Sequence, residues 1–324
     1  MRKRERLAAA IAGEPTDRPL VALWRHFPGD DADTEALACS TAAFQAQYDW
    51  DFIKLTPMSN YSVADWGSRA VYAGHPEGTT ERITFPIKQL SDWKNLAPLD
   101  PTQGALGQQL ATVRRLRELV GPDVPILETI FSPLSQARHL VPSGTEIVQL
   151  RQDPAALHCA LEVMTETTIA FVRAVLAAGA DGIFYAVQHA NAQQLSPREY
   201  TDIGRPLDLR ILAAAQAASF NLLHLHGRHS YFDLISDYPV HALNWHDRET
   251  GPSLLEGAQR FPGLVVGGIS QAEIVEGTAA QVRTLAHEAV VALGGRRLCL
   301  STGCVLPTVA PWGNIRALRA AAEV

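Results

Sequence analysis

The sequence predicts a single (β/α)8 barrel, the fold in which eight parallel strands alternate with helices around one core. Eight short apolar runs alternate with stretches of helical pattern along the 324 residues, an arrangement that is typical of a closed parallel sheet. Polar side chains, above all histidines, follow these runs at the end where barrel enzymes carry their active sites. No Gly-x-Gly-x-x-Gly turn follows the first run, which disfavours the alternative, an open doubly wound sheet.

Composition and charge limit the class of protein. The chain is 47% hydrophobic and 19% charged, with a formal charge of -6, which suits a globular enzyme with one large core. It has no basic stripe interleaved with aromatic residues, so we expect no nucleic-acid partner. No apolar stretch is long enough to span a bilayer, and the basic start lacks the features of a signal peptide. Four cysteines in so long a chain do not form a disulfide framework, which favours a reducing cytoplasm.

The predicted elements follow one another along the whole chain, which we expect to be one barrel domain over residues 1–324. Strands are predicted at 19–24, 51–55, 125–130, 181–187, 221–227, 242–245, 264–268 and 297–301. Helices are predicted at about 3–12, 33–48, 106–120, 144–151, 154–179, 197–219, 230–237 and 278–293, with another before residue 264 and a closing helix from about 314. Residues 67–105, rich in Gly, Pro and Thr, are interpreted as an irregular insertion after the second strand, with a possible hairpin of segments 71–73 and 82–85.

The sharpest candidate site is a metal centre at the end of the fifth strand. His224 and His226 are two residues apart, so in a strand their imidazoles point to the same side. Cys304 follows the eighth strand, which a barrel brings back to the same mouth. Two imidazoles and a thiolate suit zinc, and three protein ligands leave the open position of a catalytic site. The alternative is that His226 caps the turn and Cys304 is a small buried residue.

Other polar residues at the strand ends are candidates for substrate binding and proton transfer. Five of the eleven histidines lie there, whereas the opposite strand ends carry mostly Pro, Asp, Gly and Asn. The candidate acids and bases are Glu128, His189 and His246. The candidate substrate contacts are Arg25, His26, Tyr61, Tyr185, Gln188 and Trp245. Several of them have an alternative: Arg25 could pair with an acid, His189 could bond to backbone, Trp245 could pack in the core, and His246 could belong to an exposed ion-pair run. Glu128 faces the barrel interior only if Ile126 and Ile130 do, and a buried carboxylate needs a partner.

Several short motifs resemble the uroporphyrinogen decarboxylase superfamily, and they occur in the order that this family shows. They are Gly13-Glu-Pro-Thr-Asp-Arg-Pro19, Leu223-His-Leu-His-Gly227, Gly267-Gly268-Ile269, Glu276-Gly277-Thr278 and Gly303-Cys304-Val-Leu-Pro307 followed by Asn314. The resemblance covers nearly the whole chain. It implies a single (β/α)8 barrel, in agreement with the count of strands, and a homodimer.

The resemblance is weaker to the true uroporphyrinogen decarboxylases, which need no cofactor. Those enzymes carry Arg-x-x-x-Arg after the first strand, where this chain has Arg25 but Gly29 in the second position. They also carry an essential aspartate after the second strand, where residues 55–60 contain no acid, and a histidine where this chain has Gly303. A tetrapyrrole with eight carboxylates needs several cations, and these strand ends supply few arginines.

The other branch, the zinc methyltransferases that work with corrinoid proteins and thiols, is more similar at the site. Its members bind zinc through His-x-Cys after strand five and a cysteine after strand eight. This chain resembles them at His224 and Cys304, with His226 in place of the first cysteine. The resemblance implies a zinc-dependent methyltransferase or demethylase that receives its corrinoid from a partner protein or as a free cofactor. Alternatives are a cofactor-free decarboxylase and a non-catalytic ligand-binding barrel.

Overall fold

Eight parallel strands form one sheet whose order follows the chain around a barrel. The computed structural model describes residues 1–323. The barrel strands are β1 (Leu20–Val21), β2 (Ile53–Leu55), β5 (Ile126–Phe131), β6 (Gly182–Val187), β7 (Leu222–Leu225), β8 (Ala242–Trp245), β9 (Leu264–Ile269) and β10 (Leu298–Thr302), and a separate hairpin consists of β3 (Arg69–Val71) and β4 (Glu81–Thr84). The sheet order is β1-β10-β9-β8-β7-β6-β5-β2. The predicted (β/α)8 barrel is therefore confirmed.

A buried aspartate joins the first and second strands. The Asp51 amide donates to the carbonyl of Val21 at 3.0 Å, and the Val21 amide donates to the Asp51 carboxylate at 2.8 Å. Arg6 and Arg18 each contact the same carboxylate at 2.7 Å. A side chain thus joins these strands in place of ladder hydrogen bonds, and β1 has only two residues where the sequence predicted a strand over 19–24.

Helices surround the sheet at most of the predicted positions. They are α1 (Lys3–Ala12), α2 (Thr34–Tyr48), α3 (Gly104–Val120), α4 (Pro133–Arg138), α5 (Thr145–Gln152), α6 (Pro154–Ala177), α7 (Pro197–Glu199), α8 (Arg205–Ala214), α9 (Phe232–Ile235), α10 (Leu254–Arg260), α11 (Gln271–Glu276), α12 (Ala279–Leu293) and α13 (Trp312–Ala321). Short 3-10 helices lie at Asp30–Ala32, Tyr61–Trp66 and Leu90–Asn95, and a π-helical turn lies at Tyr200–Gly204. None of the helices in residues 1–323 has the length and apolar character needed to cross a membrane.

The predicted helix 197–219 is divided in the structure. It consists of α7, the π-helical turn and α8, and it ends at Ala214. Pro206 lies in the first turn of α8, and a proline has no amide hydrogen to continue a regular helix. The wider π-helical turn that precedes Pro206 accommodates the missing hydrogen bond. The short helices α4 and α11 were not predicted, although Ser132 before Pro133 is a typical helix start.

The insertion after the second strand contains the hairpin that the sequence indicated. β3 and β4 pair antiparallel, with a register shift between Arg69 and Ala70. The Thr308 amide donates to the carbonyl of Pro76 at 2.7 Å, which joins the hairpin loop to the segment after β10. The hairpin therefore lies over the C-terminal mouth of the barrel.

Candidate metal centre

Four side chains from the ends of three strands converge at the C-terminal mouth of the barrel. His224 lies in β7 and His226 one residue beyond it, His246 follows β8, and Cys304 follows β10. One donor atom from each residue lies within 4.8 Å of all the others. The structure thus brings together the three predicted ligands and adds His246, for which the sequence suggested a role in proton transfer.

Three of the six distances between these atoms are close to the edges of a tetrahedron around zinc. The Cys304 sulfur lies 3.6 Å from His224 Nε2 and 3.8 Å from His226 Nδ1. His226 Nδ1 lies 3.4 Å from His246 Nε2. With typical Zn–N and Zn–S bonds, tetrahedral geometry requires about 3.3 Å between two nitrogens and about 3.5 Å between nitrogen and sulfur. The donor set and these three distances therefore fit zinc, whereas the cluster as a whole, with donor atoms within 4.8 Å of one another, is wider than a closed tetrahedral site.

A buried asparagine fixes the orientation of His224. Asn244 pairs with His224 in the register between β7 and β8, and its Oδ1 lies 2.6 Å from His224 Nδ1. The Asn244 amide nitrogen donates to the carbonyls of Val266 and Thr302 at 2.8 and 3.1 Å, so its oxygen faces the histidine. His224 Nδ1 must then carry the proton, which leaves the lone pair of Nε2 directed at the cluster.

The backbone around Cys304 requires a glycine. A Cβ atom on Gly303 would lie 2.9 Å from His246 Cα and 2.9 Å from the carbonyl oxygen of Trp245. Both atoms belong to the backbone, so they could not move aside as the tip of a side chain can. Gly303 therefore allows the segment after β10 to approach the segment after β8, and this approach places the thiol beside the histidines.

The histidines of the cluster are in the protonation state that metal binding requires. Burial is the main cause that lowers the pKa of His226 to about 3 and the pKa of His224 well below its ordinary value. Burial also raises the pKa of the Cys304 thiol to about 12. At neutral pH and without metal the imidazoles are therefore uncharged and the thiol keeps its proton, which a bound metal would displace.

A cavity of about 300 Å³ opens beside the cluster. His224, His226 and Cys304 line it, whereas His246 does not. The apolar part of its wall consists of Trp24, Pro57, Phe131, Phe184, Ala186 and Val305. The polar part consists of His26, Lys54, Thr56, Ser59, His75, Glu77, Thr79, Thr80, Arg82, Thr129, Arg138, His139 and Gln188. The volume is at the lower end of the range for pockets that bind small molecules.

The strand alternation decides which predicted site residues reach this cavity. His26 and Gln188 line it as expected, but Arg25, Tyr61, Tyr185, Trp245, Glu128 and His189 do not. Phe184 and Ala186 line the cavity, so Tyr185 between them faces the other side of the sheet, where its hydroxyl donates to Asp208 at 2.6 Å. Trp245 likewise points outward and donates to the carbonyl of Pro252 at 2.8 Å.

The remaining predicted residues contact other protein groups and do not line the cavity. The Arg25 guanidinium lies 5.6 Å from the ring of Phe27. Tyr61 donates its hydroxyl proton to the carbonyl of Thr129. His189 Nε2 lies 3.3 Å from a carboxylate oxygen of the buried Glu146.

Glu128 lies on the outer face of the sheet. Thr129 and Phe131 line the cavity, so the alternation of β5 places Glu128 on the opposite face, with Ile126 and Ile130. Burial raises the pKa of the Glu128 carboxyl well above its ordinary value, and both of its oxygens lack a hydrogen-bond partner within residues 1–323. Burial therefore favours the neutral carboxyl, which lies on the face of the sheet opposite the cavity.

Lys54 is the most unusual cavity residue that the sequence did not reveal. It is buried, its ammonium lies 4.9 Å from the centre of the Phe184 ring, and its hydrogen bond is to the Thr56 hydroxyl at 3.2 Å. Burial lowers its pKa to about 7. The sequence pattern Asp51-Phe-Ile-Lys-Leu55 indicates a strand but does not show which of its side chains face the inside of the barrel. The presence of a lysine within an apolar strand was the only sign in the sequence that Lys54 could have a role in the cavity.

The fold and the cluster together define a barrel enzyme with nitrogen and sulfur donors at its mouth, and the comparisons with known proteins agree. The family model of uroporphyrinogen decarboxylase (URO-D) matches residues 73–323. The chain belongs to this family and is an enzyme.

Relatives from both branches of the family are found. Methylcobamide:CoM methyltransferase MtaA of Methanosarcina barkeri is 28% identical over 66% of this chain and 62% of its own length, so that match leaves more than a third of the relative uncovered. Methylcobamide:CoM methyltransferase MtbA of Methanosarcina acetivorans is 22% identical over 97% of this chain and 95% of its own length. Uroporphyrinogen decarboxylase of Pseudoalteromonas atlantica is 30% identical, over 39% of this chain and 36% of its own length.

Solved structures support the fold. A methyltransferase from Methanosarcina mazei has a TM-score of 0.88 at 22% identity, covering 100% of this chain and 98% of its own. A B12-independent methionine synthase from Shewanella has a TM-score of 0.60 at 14% identity, covering 91% of this chain and 87% of its own. At these identities the likeness shows that the chain shares the barrel fold.

Proposed function

We propose that this enzyme is a zinc-dependent methyltransferase or demethylase. The observation that carries the proposal is the convergence of His224, His226, His246 and Cys304, nitrogen and sulfur donors of the kind that zinc binds, whose donor atoms all lie within 4.8 Å of one another. Full-length similarity to a methylcobamide:CoM methyltransferase supports the reaction type. When bound, zinc would lower the pKa of a coordinated thiol or water and so supply a nucleophile at neutral pH.

His224, His226 and Cys304 are the proposed permanent ligands, because all three face the cavity. His246 is the proposed exchangeable position. It does not line the cavity, and its Nδ1, 3.6 Å from a Glu249 carboxylate oxygen, has no hydrogen bond within residues 1–323. A ligand set of three would leave the fourth position that catalytic zinc sites keep open. His246 could then bind or release a proton beside the reacting atoms, as the sequence suggested.

The corrinoid that the resemblance implies would have to remain outside the barrel. A corrin ring is much larger than a cavity of about 300 Å³, so the methyl group would be presented at the mouth by a partner protein or by a free cofactor. The wall residues His26 and Gln188 are the proposed substrate contacts among those that the sequence indicated. A homodimer stays a prediction, which analytical ultracentrifugation of the purified chain would test.

The test compares metal content and methyl transfer in two cysteine variants. The Cys304→Ser variant should lose most of its zinc. It should also lose the transfer of a methyl group from methylcobalamin to a thiol, which is measured by the absorbance change of the corrinoid. Cys299→Ser is the matched control, because Cys299 is also a buried free cysteine but lies outside the cluster. A fully active protein without zinc would refute the proposal, and turnover of uroporphyrinogen III would favour the decarboxylase instead.

A further inference from the structure

One buried amine of the cavity wall has no role in the proposed metal chemistry. Lys54 belongs to β2, and its side chain lines the cavity together with Thr56. It forms no salt bridge with a carboxylate in residues 1–323, whereas Lys3 pairs with Asp49. The chain has only four lysines among its 28 Lys and Arg residues. A lysine that is buried without an acidic partner, in a chain that otherwise uses arginine, therefore needs an explanation.

The surroundings of the Lys54 amine are mostly aromatic. Its nitrogen lies 4.9 Å from the centre of the Phe184 ring, which packs against Trp24 with ring centres 5.2 Å apart. Its hydrogen bond within residues 1–323 goes to the Thr56 hydroxyl at 3.2 Å. An ammonium group has three donors, so most of its hydrogen-bonding capacity is unused by the protein. Such a site favours the uncharged amine, because loss of hydration penalises the charged form.

The nearby titratable groups do not compensate for this burial. Burial lowers the pKa of Lys54 to about 7, although Cys304 and Glu128, the acidic groups that act on it, raise this pKa. The basic groups that interact with it, His26 and His224, add no negative charge. At pH 7 about half of the Lys54 amine is thus uncharged. An amine with the ordinary lysine pKa of about 10.4 is uncharged in fewer than about one molecule in a thousand at this pH.

We infer that Lys54 is a nucleophile that forms an imine with a small uncharged aldehyde or ketone in the cavity, an activity beyond the proposed methyl transfer. The lone pair of the amine attacks the carbonyl carbon and forms the C–N bond. The carbonyl oxygen takes up the two protons that the nitrogen gives up, and it leaves as water when the C=N bond forms, so nothing is oxidised or reduced. The Thr56 hydroxyl beside the amine can carry a proton between the two atoms. An arginine could not react in this way, because a guanidinium group stays charged.

The experiment traps the imine by reduction. The purified protein is incubated at about pH 7 with propanal and sodium cyanoborohydride, which reduces the C=N bond to a stable secondary amine. Mass spectrometry of peptides then measures the modification of each lysine. We expect Lys54 to be modified about tenfold or more faster than the exposed Lys88 and Lys94, because far more of its amine is uncharged. This ratio should fall as the pH rises toward about 10, where ordinary lysine amines also lose their protons.

Lys88→Arg is the matched control, since it removes an exposed lysine that does not line the cavity. It should leave the modification of Lys54 unchanged, whereas in Lys54→Met only the exposed lysines should react. Oxidised dextran, a polymeric aldehyde too large for a cavity of about 300 Å³, should modify Lys88 and Lys94 but not Lys54. The inference would be overturned if propanal modified Lys54 no faster than the exposed lysines at neutral pH, or if dextran modified all three equally. Neither result depends on zinc, whose content in Cys304→Ser tests the proposed function separately.

Discussion

Asn244 offers a sharp test of how the candidate metal centre is organised. Replacing it by alanine removes the acceptor for His224 Nδ1 and the donors to the carbonyls of Val266 and Thr302. None of the four proposed ligands is changed. The His224 ring would lose the contact that fixes its tautomer and orientation, and loss of such a contact typically weakens metal binding about 10- to 100-fold.

The same substitution should reduce stability by an amount that the hydrogen bonds define. Three bonds of a fully buried side chain are lost, and at about 1 kcal/mol each the free energy of unfolding should fall by about 3 kcal/mol. Zinc affinity is measured by competition with a chromophoric chelator, under conditions where circular dichroism shows the variant to be folded. Stability is measured separately by urea denaturation.

Asn314→Ala separates the two effects. Asn314 is also buried, and its amide nitrogen donates to the carbonyls of Ile274 and Gly277 at 3.0 and 2.7 Å, and none of these residues belongs to the cluster. We expect this variant to lose about 2 kcal/mol of stability with no change in zinc affinity. The reasoning would be refuted if zinc affinity in Asn244→Ala stayed within about threefold of the wild type, or if both asparagine variants lost it equally.

Three further predictions concern single positions. Gly303→Ala should weaken zinc binding about tenfold or more, since the new Cβ atom would lie 2.9 Å from backbone atoms of the segment after β8. Gly313→Ala, whose new Cβ atom would have no neighbouring atom within 4 Å, should leave zinc binding unchanged. Lys54→Met should stabilise the protein at pH 7, and this gain in stability should shrink as the pH rises toward 10.5. Burial lowers the Lys54 pKa to about 7, so between these pH values only the unfolded wild-type chain binds the proton, and the wild type becomes more stable as the pH rises. A gain that urea denaturation finds independent of pH would contradict this. Tyr185→Phe should lower the free energy of unfolding by about 1 to 2 kcal/mol, because the hydrogen bond from the Tyr185 hydroxyl to Asp208 is lost. An accompanying loss of zinc or ligand binding would contradict the outward position of Tyr185.

The sequence predicted the barrel because each strand is an apolar run of limited length between helices. It also predicted the pair His224 and His226, because a spacing of two places side chains on one side of any strand. Cys304 could be joined to them only through the fold, since the eighth strand returns to the same mouth. These inferences depend on the order of the elements and on local spacing, both of which are visible in the linear sequence.

Residues whose role depends on which face of a strand they occupy were harder to predict. A shift of one residue changes the face, so Tyr185 and Trp245 could not be distinguished from their inward neighbours Phe184 and Asn244. The asparagine that orients His224 was missed for the same reason.

Arg82 and Arg138 were missed because they lie on a hairpin and a short helix, which only the tertiary fold brings over the cavity. No spacing rule links residues of an insertion to those of a distant strand end. The candidate cation was therefore sought at a strand end, at Arg25, whose guanidinium lies beside the ring of Phe27 and does not line the cavity.

X-ray absorption at the zinc edge of the purified protein tests the central claim most directly. We predict about one zinc per chain, with two or three nitrogen neighbours at about 2.0–2.1 Å and one sulfur neighbour at about 2.3 Å, and loss of the sulfur shell in Cys304→Ser. A protein that binds no zinc after incubation with the metal, or zinc whose shell contains no sulfur, would contradict the account.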